Sequence, residues 1–397
     1  MVKKVKAAVI GCGGVSHTYL RNLTKEFSII EVVGCSDLIE ERSRKRAEEF
    51  GIKQMTNEEI FKDPDIEIVV NLTYPLSHFF VSKEALEAGK HVFVEKMMSV
   101  NYPQAKELYE LAKKLNLRIG ATPDTFLGGG LQTGRKLIDA GFIGDPISAQ
   151  AMCIRGYHLG GEHKGDRLPF VFCEGGNIPY DLGGYYLHAI IALLGPIKRV
   201  AGFASPFKNE ITHRNPRHPD YHVPIPYTLE TNLTSSLELH SGVLANFTVT
   251  SESHLMEIPR LEIYGTEGTL ILPDPNTFQG PVKLIRGPAN SPEPIPLTHA
   301  YGEDRPDPGP DVASNEERAW RNSFRGIGVA DMAWAIRNNR AHRCSAELGL
   351  HAIETIYGIE KSCKEDKFYT MTSKPVQPEP LPSNTLSGSA AEECFDT

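Results

Sequence analysis

VIGCGGVSHTYL, residues 9–20, joins the end of an apolar, β-branched run to the start of an amphipathic stretch. Gly11, Gly13 and Gly14 lie between the two, and Ser16 stands where the third glycine of G-x-G-x-x-G would fall. Between a strand and a helix this spacing has a physical meaning. Gly11 allows the tight turn, Gly13 lets the backbone approach a pyrophosphate, and the N–H groups of Gly14, Val15 and Ser16 open a helix whose positive end favours an anion. Asp37 closes the next apolar run, 21 residues past Ser16, where a carboxylate would accept hydrogen bonds from adenosine ribose hydroxyls. Its charge repels a 2′-phosphate, so NAD is expected over NADP. The competing reading of Asp37 is a helix cap.

Outward from this turn, KVKAAVIG, IIEVVGCSD, IEIVVNLTY, HVFVEK and RIGATP alternate with helical patterns such as EERSRKRAEEFG and VSKEALEAG. Near-continuous apolar strands separated by helices indicate βαβ units and a parallel sheet covered on both faces. Residues 1–123 are therefore expected to form a nucleotide-binding Rossmann domain, with a short third strand near Ile52. After residue 124 longer alternating runs appear, TNLTSSLELHSGVLANFTVTSE and RLEIYGTEGTLILPD, with HSG as a hairpin turn. The fold class expected is α/β: the Rossmann domain followed by an α/β domain, residues 124–371, with a large, mostly antiparallel open sheet. Gly287 to Pro310 reads as a surface loop, two helices follow in FRGIGVADMAWAIRNN and SAELGLHAIETIYGIEKSC, and residues 372–397 read as a Pro/Ser-rich tail. Such a tail would be mobile or laid on another subunit.

With 397 residues and 40% apolar content, the chain is long enough for two cores and a cleft. Its 42 Lys and Arg against 50 Asp and Glu give a net charge of −8, with no basic run to follow a phosphate backbone, so nucleic acid is not an expected partner. No segment reaches the roughly 20 apolar residues of a membrane span, and the N-terminal apolar run is too short for a signal sequence. Seven cysteines with no C-x-x-C spacing argue against a disulfide framework or a structural zinc site. A cytoplasmic protein is expected.

NLTYPLSH (Thr73, Tyr74, Pro75, His78), EALEAGKHVFVEK ending in Glu95 and Lys96, and GGNIPYDLGGYY occur in that order. Together with the glycine turn they resemble the Gfo/Idh/MocA oxidoreductases, over roughly residues 4–370. The resemblance implies an NAD(P)-binding Rossmann domain joined to an open-sheet domain, homo-oligomer packing, and oxidation or reduction of a sugar or cyclitol hydroxyl. It adds Thr73, Tyr74, Pro75, His78, Glu95 and Lys96 to the cofactor-binding set. The family's E-K-P motif matches Glu95 and Lys96, with Met97 in place of proline. Its D-x-G-x-H pattern matches Asp181, Gly183 and Tyr185, and His188 stands at the later acidic position. TPDTFLGGGLQTGRKLIDAGFIG is similar to a branch that includes glycoside 3-oxidoreductases, which would make the reaction oxidation at C3 of a glucoside.

A helix from near Ile178 to Leu194, with Asn177 as cap and Pro179 in its first turn, puts Asp181, Tyr185 and His188 within about 60° of one another at 100° per residue. The apolar stripe Leu182, Tyr186, Ala189, Ile190 and Leu193 lies on another face. A solvated surface face satisfies the same geometry. Oxidising a carbinol needs a base and a group that stabilises alkoxide charge. Lys96 is the expected cation, Asp181 either orients the substrate hydroxyl or holds Lys96 charged, Tyr185 is the base by alignment, and His188 is the rival base by its ordinary pKa near 6.5. Expected substrate contacts are Asp124, Arg155, His158 and Glu174. His213, His218 and His222 in HRNPRHPDYH match no regular metal spacing, so no metal is expected. The cofactor could stay bound between turnovers. Rival readings are an inositol or polyol dehydrogenase, a redox-neutral NAD-dependent glycosidase or epimerase, and a non-catalytic cofactor-binding sensor.

Overall fold

A computed structural model of the chain describes residues 2–156, 170–213, 216–253, 260–288, 291–305 and 321–396. β1 (Val5–Ile10) leads through the glycine turn into α1 (Gly14–Lys25), followed by β2 (Ile30–Ser36), α2 (Glu40–Phe50) and β3 (Lys53–Gln54). After α3 (Asn57–Lys62) come β4 (Ile68–Asn71), α4 (Pro75–Glu87), β5 (His91–Val94), α5 (Tyr102–Leu115) and β6 (Ile119–Ala121). All six strands pair in parallel in the order β3-β2-β1-β4-β5-β6. The order reverses between β1 and β4, and a crevice opens at such a point beyond the carboxyl ends of the strands.

The second layer begins with α6 (Gly129–Asp139) and β7 (Pro146–Ile154), then α7 (Ile178–Asp181), α8 (Gly183–Leu194) and β8 (Ile197–Ser205). β9 (Glu210–Ile211) and β10 (Ile225–Pro226) form a separate ribbon. β11 (Asn232–Leu239), β12 (Leu244–Thr250), β13 (Arg260–Gly265), β14 (Gly268–Leu272), β15 (Val282–Arg286) and β16 (Glu293–Ile295) continue the sheet. α9 (Ile327–Arg337), α10 (Ala346–Glu365), β17 (Tyr369–Thr370) and α11 (Gly388–Glu392) close the chain. The nine-stranded order is β16-β15-β14-β13-β7-β12-β11-β8-β17, antiparallel except where β12 meets β7. The HSG turn joins β11 to β12 as expected, with Gly242 at φ +90°. α6, α8 and α10 cover one face of this sheet. The other face leaves Phe203 and Leu244 exposed.

Several expectations are corrected. The stretch read as a loop from Gly287 holds β16, which pairs Pro294 with Lys283 at the sheet edge, where proline's missing N–H costs no ladder bond. Two separate cores were expected, but one apolar cluster runs through both sheets. The domain boundary is crossed by the later helices. Arg337 of α9 donates to Glu67 and to the carbonyls of Lys3 and Lys4, and Ser345 bridges to Gly120 of β6. The segment expected to be mobile or laid on another subunit packs, over residues 372–396, on its own chain. Leu381 donates its N–H to Gln132 at 2.7 Å, Glu392 accepts from the N–H groups of Ser28 and Ile29, and Ala391 and Phe395 are buried. The segment needs no core of its own because it fills grooves in this one.

Candidate functional site

The glycine turn is built as its spacing implies. Gly11 sits at φ +102°, and a Cβ there would come within 2.5 Å of the Leu72 carbonyl carbon, so only glycine lets β1 pass this close to the end of β4. A Cβ on Gly13 would meet nothing within 4 Å, so the approach to the N-terminus of α1 is open on that side. Ser16 donates to the Gly13 carbonyl at 2.6 Å and accepts from Arg46, which tightens the first turn as a third glycine would not. Asp37 accepts from the Cys12 N–H at 2.6 Å and the Ile39 N–H at 2.8 Å. It is not the helix cap, since α2 starts after Ile39. These residues fit a dinucleotide: an open cradle at a helix N-terminus, with a fixed carboxylate at the next strand end. We expect Gly11→Ala to lower NAD affinity and to cost at least about 1–2 kcal/mol of stability from the left-handed backbone alone, checked by fluorescence titration with NADH and by thermal melting.

The loop after β4 stands on the same side. Thr73 donates to Asn71 at 2.6 Å, Tyr74 caps α4 with its ring exposed, and Pro75 takes the first helical position. His78 corrects its assignment. Its ring is buried between the Met97 carbonyl (2.8 Å) and the Thr73 carbonyl (2.9 Å), so it braces the loop after β4 rather than facing a ligand. Burial lowers its pKa.

Lys96 follows β5 at the carboxyl edge of the sheet. Its Nζ lies 2.5 Å from Asp181 Oδ1, 5.5 Å from the centre of the Tyr185 ring and 5.8 Å from that of Phe170. Burial opposes the ammonium charge, but Asp181, Tyr185 and Glu95 outweigh it and raise the lysine pKa. Glu95 accepts from the Lys96 N–H at 2.9 Å and from the Tyr19 hydroxyl at 2.8 Å, which ties the lysine's backbone to α1. The Lys96–Met97 peptide is cis. Met97 packs on Gly184, where a Cβ would come within 2.6 Å of the Met97 sulfur, so the glycine pair lets α8 come close enough to bring Tyr185 beside Lys96.

The single helix expected over 178–194 is two helices broken at Leu182, and every residue of α8 is buried. The surface-face reading therefore fails, and so does His188 as a base. Its Nδ1 bonds to the Gly184 carbonyl at 2.8 Å, and its Nε2 is buried with no hydrogen-bond partner among the described residues. Burial holds its pKa down to about 4. Asp181 and Tyr185 stay together at Lys96, while His188, one turn further along α8, is buried against that helix's own Gly184 carbonyl.

Asp124 is likewise corrected. Its Oδ2 accepts from the N–H groups of Gly326 (2.9 Å) and Gly328 (3.1 Å), capping the start of α9 rather than facing a substrate. Burial pushes its carboxyl up to about 6. Arg155, at the end of β7, and Glu174 are exposed. His158 lies outside the described residues. His213, His218 and Asp220 bring possible ligand atoms within 4.8 Å of one another, but the two imidazoles stack 3.6 Å apart at 10°, which sets their nitrogens side by side rather than toward one point.

Sequence reading missed Arg325. This buried side chain donates to the Tyr185 hydroxyl oxygen at 2.7 Å, to Asn276 Oδ1 at 3.0 Å and to Ser323 at 3.1 Å. The one signal was an arginine followed by Gly-Ile-Gly at the head of an apolar helix, where a charge has no surface to face.

Residues 5–122 match the family described as "Oxidoreductase family, NAD-binding Rossmann fold", and residues 131–271 match the "GFO/IDH/MocA C-terminal domain". An uncharacterized oxidoreductase of Schizosaccharomyces pombe is 30% identical over 199 residues, 48% of this chain and 52% of that protein. The scyllo-inositol 2-dehydrogenase (NAD(+)) of Bacillus subtilis is 24% identical over 282 residues, 68% of this chain and 75% of that protein. The chain spans about half the length of the curated relatives it matches at 29–30% identity. A levoglucosan dehydrogenase in complex with NADH and levoglucosan superposes with a TM-score of 0.76 at 17% identity, covering 94% of this chain and 100% of that one. No helix among the described residues is long and apolar enough to cross a membrane. The two matched domains, in order and over most of the chain, show that it belongs to the Gfo/Idh/MocA family of NAD-binding oxidoreductases.

Proposed function

We propose that the protein oxidises a ring hydroxyl of a sugar, glycoside or cyclitol with NAD, and that within this class it acts at C3 of a glucoside to give a 3-keto sugar. The observation that carries the reading is the Lys96–Asp181 pair beside Tyr185 at the carboxyl edge of the NAD-binding sheet. Gly11, Gly13, Gly14, Val15 and Ser16 would receive the pyrophosphate, Asp37 the adenosine ribose, and Thr73, Tyr74 and Pro75 the nicotinamide end. When bound, NAD supplies the hydride acceptor.

The chain's own residues manage the proton and the charge. Asp181 keeps Lys96 protonated and aimed, so the ammonium can hold a substrate oxygen as it becomes anionic. Tyr185 is the proton partner. Phe170 and the exposed Tyr74 ring, 6.4 Å apart and edge to face, offer an apolar wall for the C–H face of a pyranose or inositol. Burial raises the Tyr185 pKa while Arg325 and Lys96 pull it back. The deprotonated base is therefore scarce at neutral pH, and oxidation is expected to speed up as pH rises toward the phenol's pKa. Carbonyl reduction, which needs the phenol protonated, is expected to hold its rate at lower pH.

The reading is tested by mass spectrometry and absorbance of nicotinamide released from the purified protein, before and after incubation with glycosides, free sugars and inositols. Conversion of NAD to NADH with one class, and a ketone in that product, is the expected result. Released aglycone or epimer with no net NADH would replace it with the redox-neutral reading. Tyr185→Phe is expected to lower turnover by about 100- to 10,000-fold, whereas His188→Gln should leave the pH–rate profile in place; a profile displaced by the histidine variant would return His188 to the site.

A further inference from the structure

So far Arg325 enters only as a charge near Tyr185, yet its side chain donates directly to the Tyr185 oxygen. A guanidinium can only donate, so at 2.7 Å the phenol oxygen must accept from it. The phenolic proton, when present, is thereby turned away from Arg325. We propose that Arg325 is a positioning residue that fixes the direction of the Tyr185 proton and stabilises its phenolate, a role that rests on Tyr185 being the proton partner assigned above.

The surroundings favour this over a simple packing role. Arg325 is 4% exposed, held by Ser323 and Asn276 on either side of its bond to Tyr185. Its backbone is fixed independently of its side chain. Asn22 of α1 donates to the Arg325 carbonyl at 2.8 Å and to that of Ser323 at 2.9 Å, and Asp124 holds the next residue, Gly326. The cofactor helix thus sets where the guanidinium sits. The charged and titratable groups that bear on Tyr185 are Lys96 and Glu95 after β5, Asp181 at the end of α7, and Arg325 before α9; Tyr19 of α1 and Asp124 bear on Arg325 in turn. Lys96 is already bonded to Asp181, so Arg325 is the cation that bonds to the phenol itself. In the oxidation direction the substrate hydroxyl proton passes to the Tyr185 phenolate oxygen, on the side that Arg325 leaves open.

A direct readout needs no turnover. Protein labelled with 3-fluorotyrosine, whose phenol ionises at lower pH than tyrosine, is titrated with NAD present by fluorine NMR, and the Tyr185 resonance is assigned by its loss in Tyr185→Phe. Arg325→Met is expected to raise the midpoint of that resonance by about one to two pH units, the worth of one charge-assisted hydrogen bond. Arg325→Lys, which keeps the charge and loses the fork, should fall between, and it serves as the readout if the methionine variant does not fold. The same midpoint in all variants, or no ionisation up to pH 10 in any of them, would overturn the proposal. In the Tyr185→Phe background, Arg325→Met should cause no further loss of turnover; an added loss as large as in the wild type would mean that Arg325 acts elsewhere. If the phenol shifts as expected but no hydroxyl substrate reduces NAD, the functional reading fails and the Arg325 assignment stands.

Discussion

Lys96→Met is expected to slow NAD reduction by about 1,000-fold while leaving NADH binding and the fold in place. Methionine is of similar length and apolar, so it can take the place of the lysine chain, whose Nζ lies 5.8 Å from the Phe170 ring centre and 5.5 Å from that of Tyr185. What it removes is the ammonium that pairs with Asp181 at 2.5 Å. Asp181 is then a nearly buried carboxylate that has lost its Lys96 partner, which costs stability. Adding Asp181→Asn to Lys96→Met should recover stability without recovering turnover, which separates catalytic loss from structural loss. Steady-state rates, NADH fluorescence titration and melting curves on the two variants decide it. Wild-type turnover in Lys96→Met would remove Lys96 from the chemistry.

Arg343→Met is expected to lower unfolding free energy by about 3–5 kcal/mol, because it breaks a buried ion pair and leaves the acid behind. Asp331 is fully buried and accepts from the Arg343 side chain at 2.5 Å, the Arg343 N–H at 2.6 Å and Arg340 at 2.9 Å. The same guanidinium donates to the carbonyls of Glu379, Pro380 and Phe395, so it also fastens the C-terminal segment. Burial works against the Asp331 charge, yet Arg343 and Arg340 hold its pKa below the usual carboxylate range. A depressed acid contributes stability above its unfolded pKa and loses it as pH falls through the folded one. The wild type should therefore weaken on acidification partly through Asp331, and Arg343→Met should show less of that acid-side slope. Denaturant titration across pH measures both effects, and limited proteolysis should cut the variant first after residue 371. An unchanged midpoint at neutral pH would sink the argument.

Much of the site was legible because its parts are local. The glycine turn, Asp37 at the end of β2 and Lys96 at the end of β5 are each fixed by a short run of sequence and by the periodicity around it. Asp181 and Tyr185 came from a motif, not from geometry, since a helix face that is polar in sequence reads equally well as solvated. His188 shows why. Two glycines let α8 pack into the core, where the histidine ring is buried against the Gly184 carbonyl. Asp124 misled for a related reason. An acidic residue just past a strand end reads as a ligand contact, and only the return of α9 across 200 positions reveals the N–H groups it caps.

The sequence by itself determined the α/β class, the parallel sheet and its cofactor turn, because strand patterning and glycine placement act over a few residues. It also determined the family and the lysine, aspartate and tyrosine of the candidate site. Only the tertiary structure decided which of those groups touch. The Lys96–Asp181 and Arg325–Tyr185 contacts join residues 85 and 140 positions apart. The C-terminal segment's seat on its own chain was decided in the same way, by Arg343 and Gln132. Contacts of that kind depend on how whole layers pack, and no local pattern encodes the packing of one layer against another.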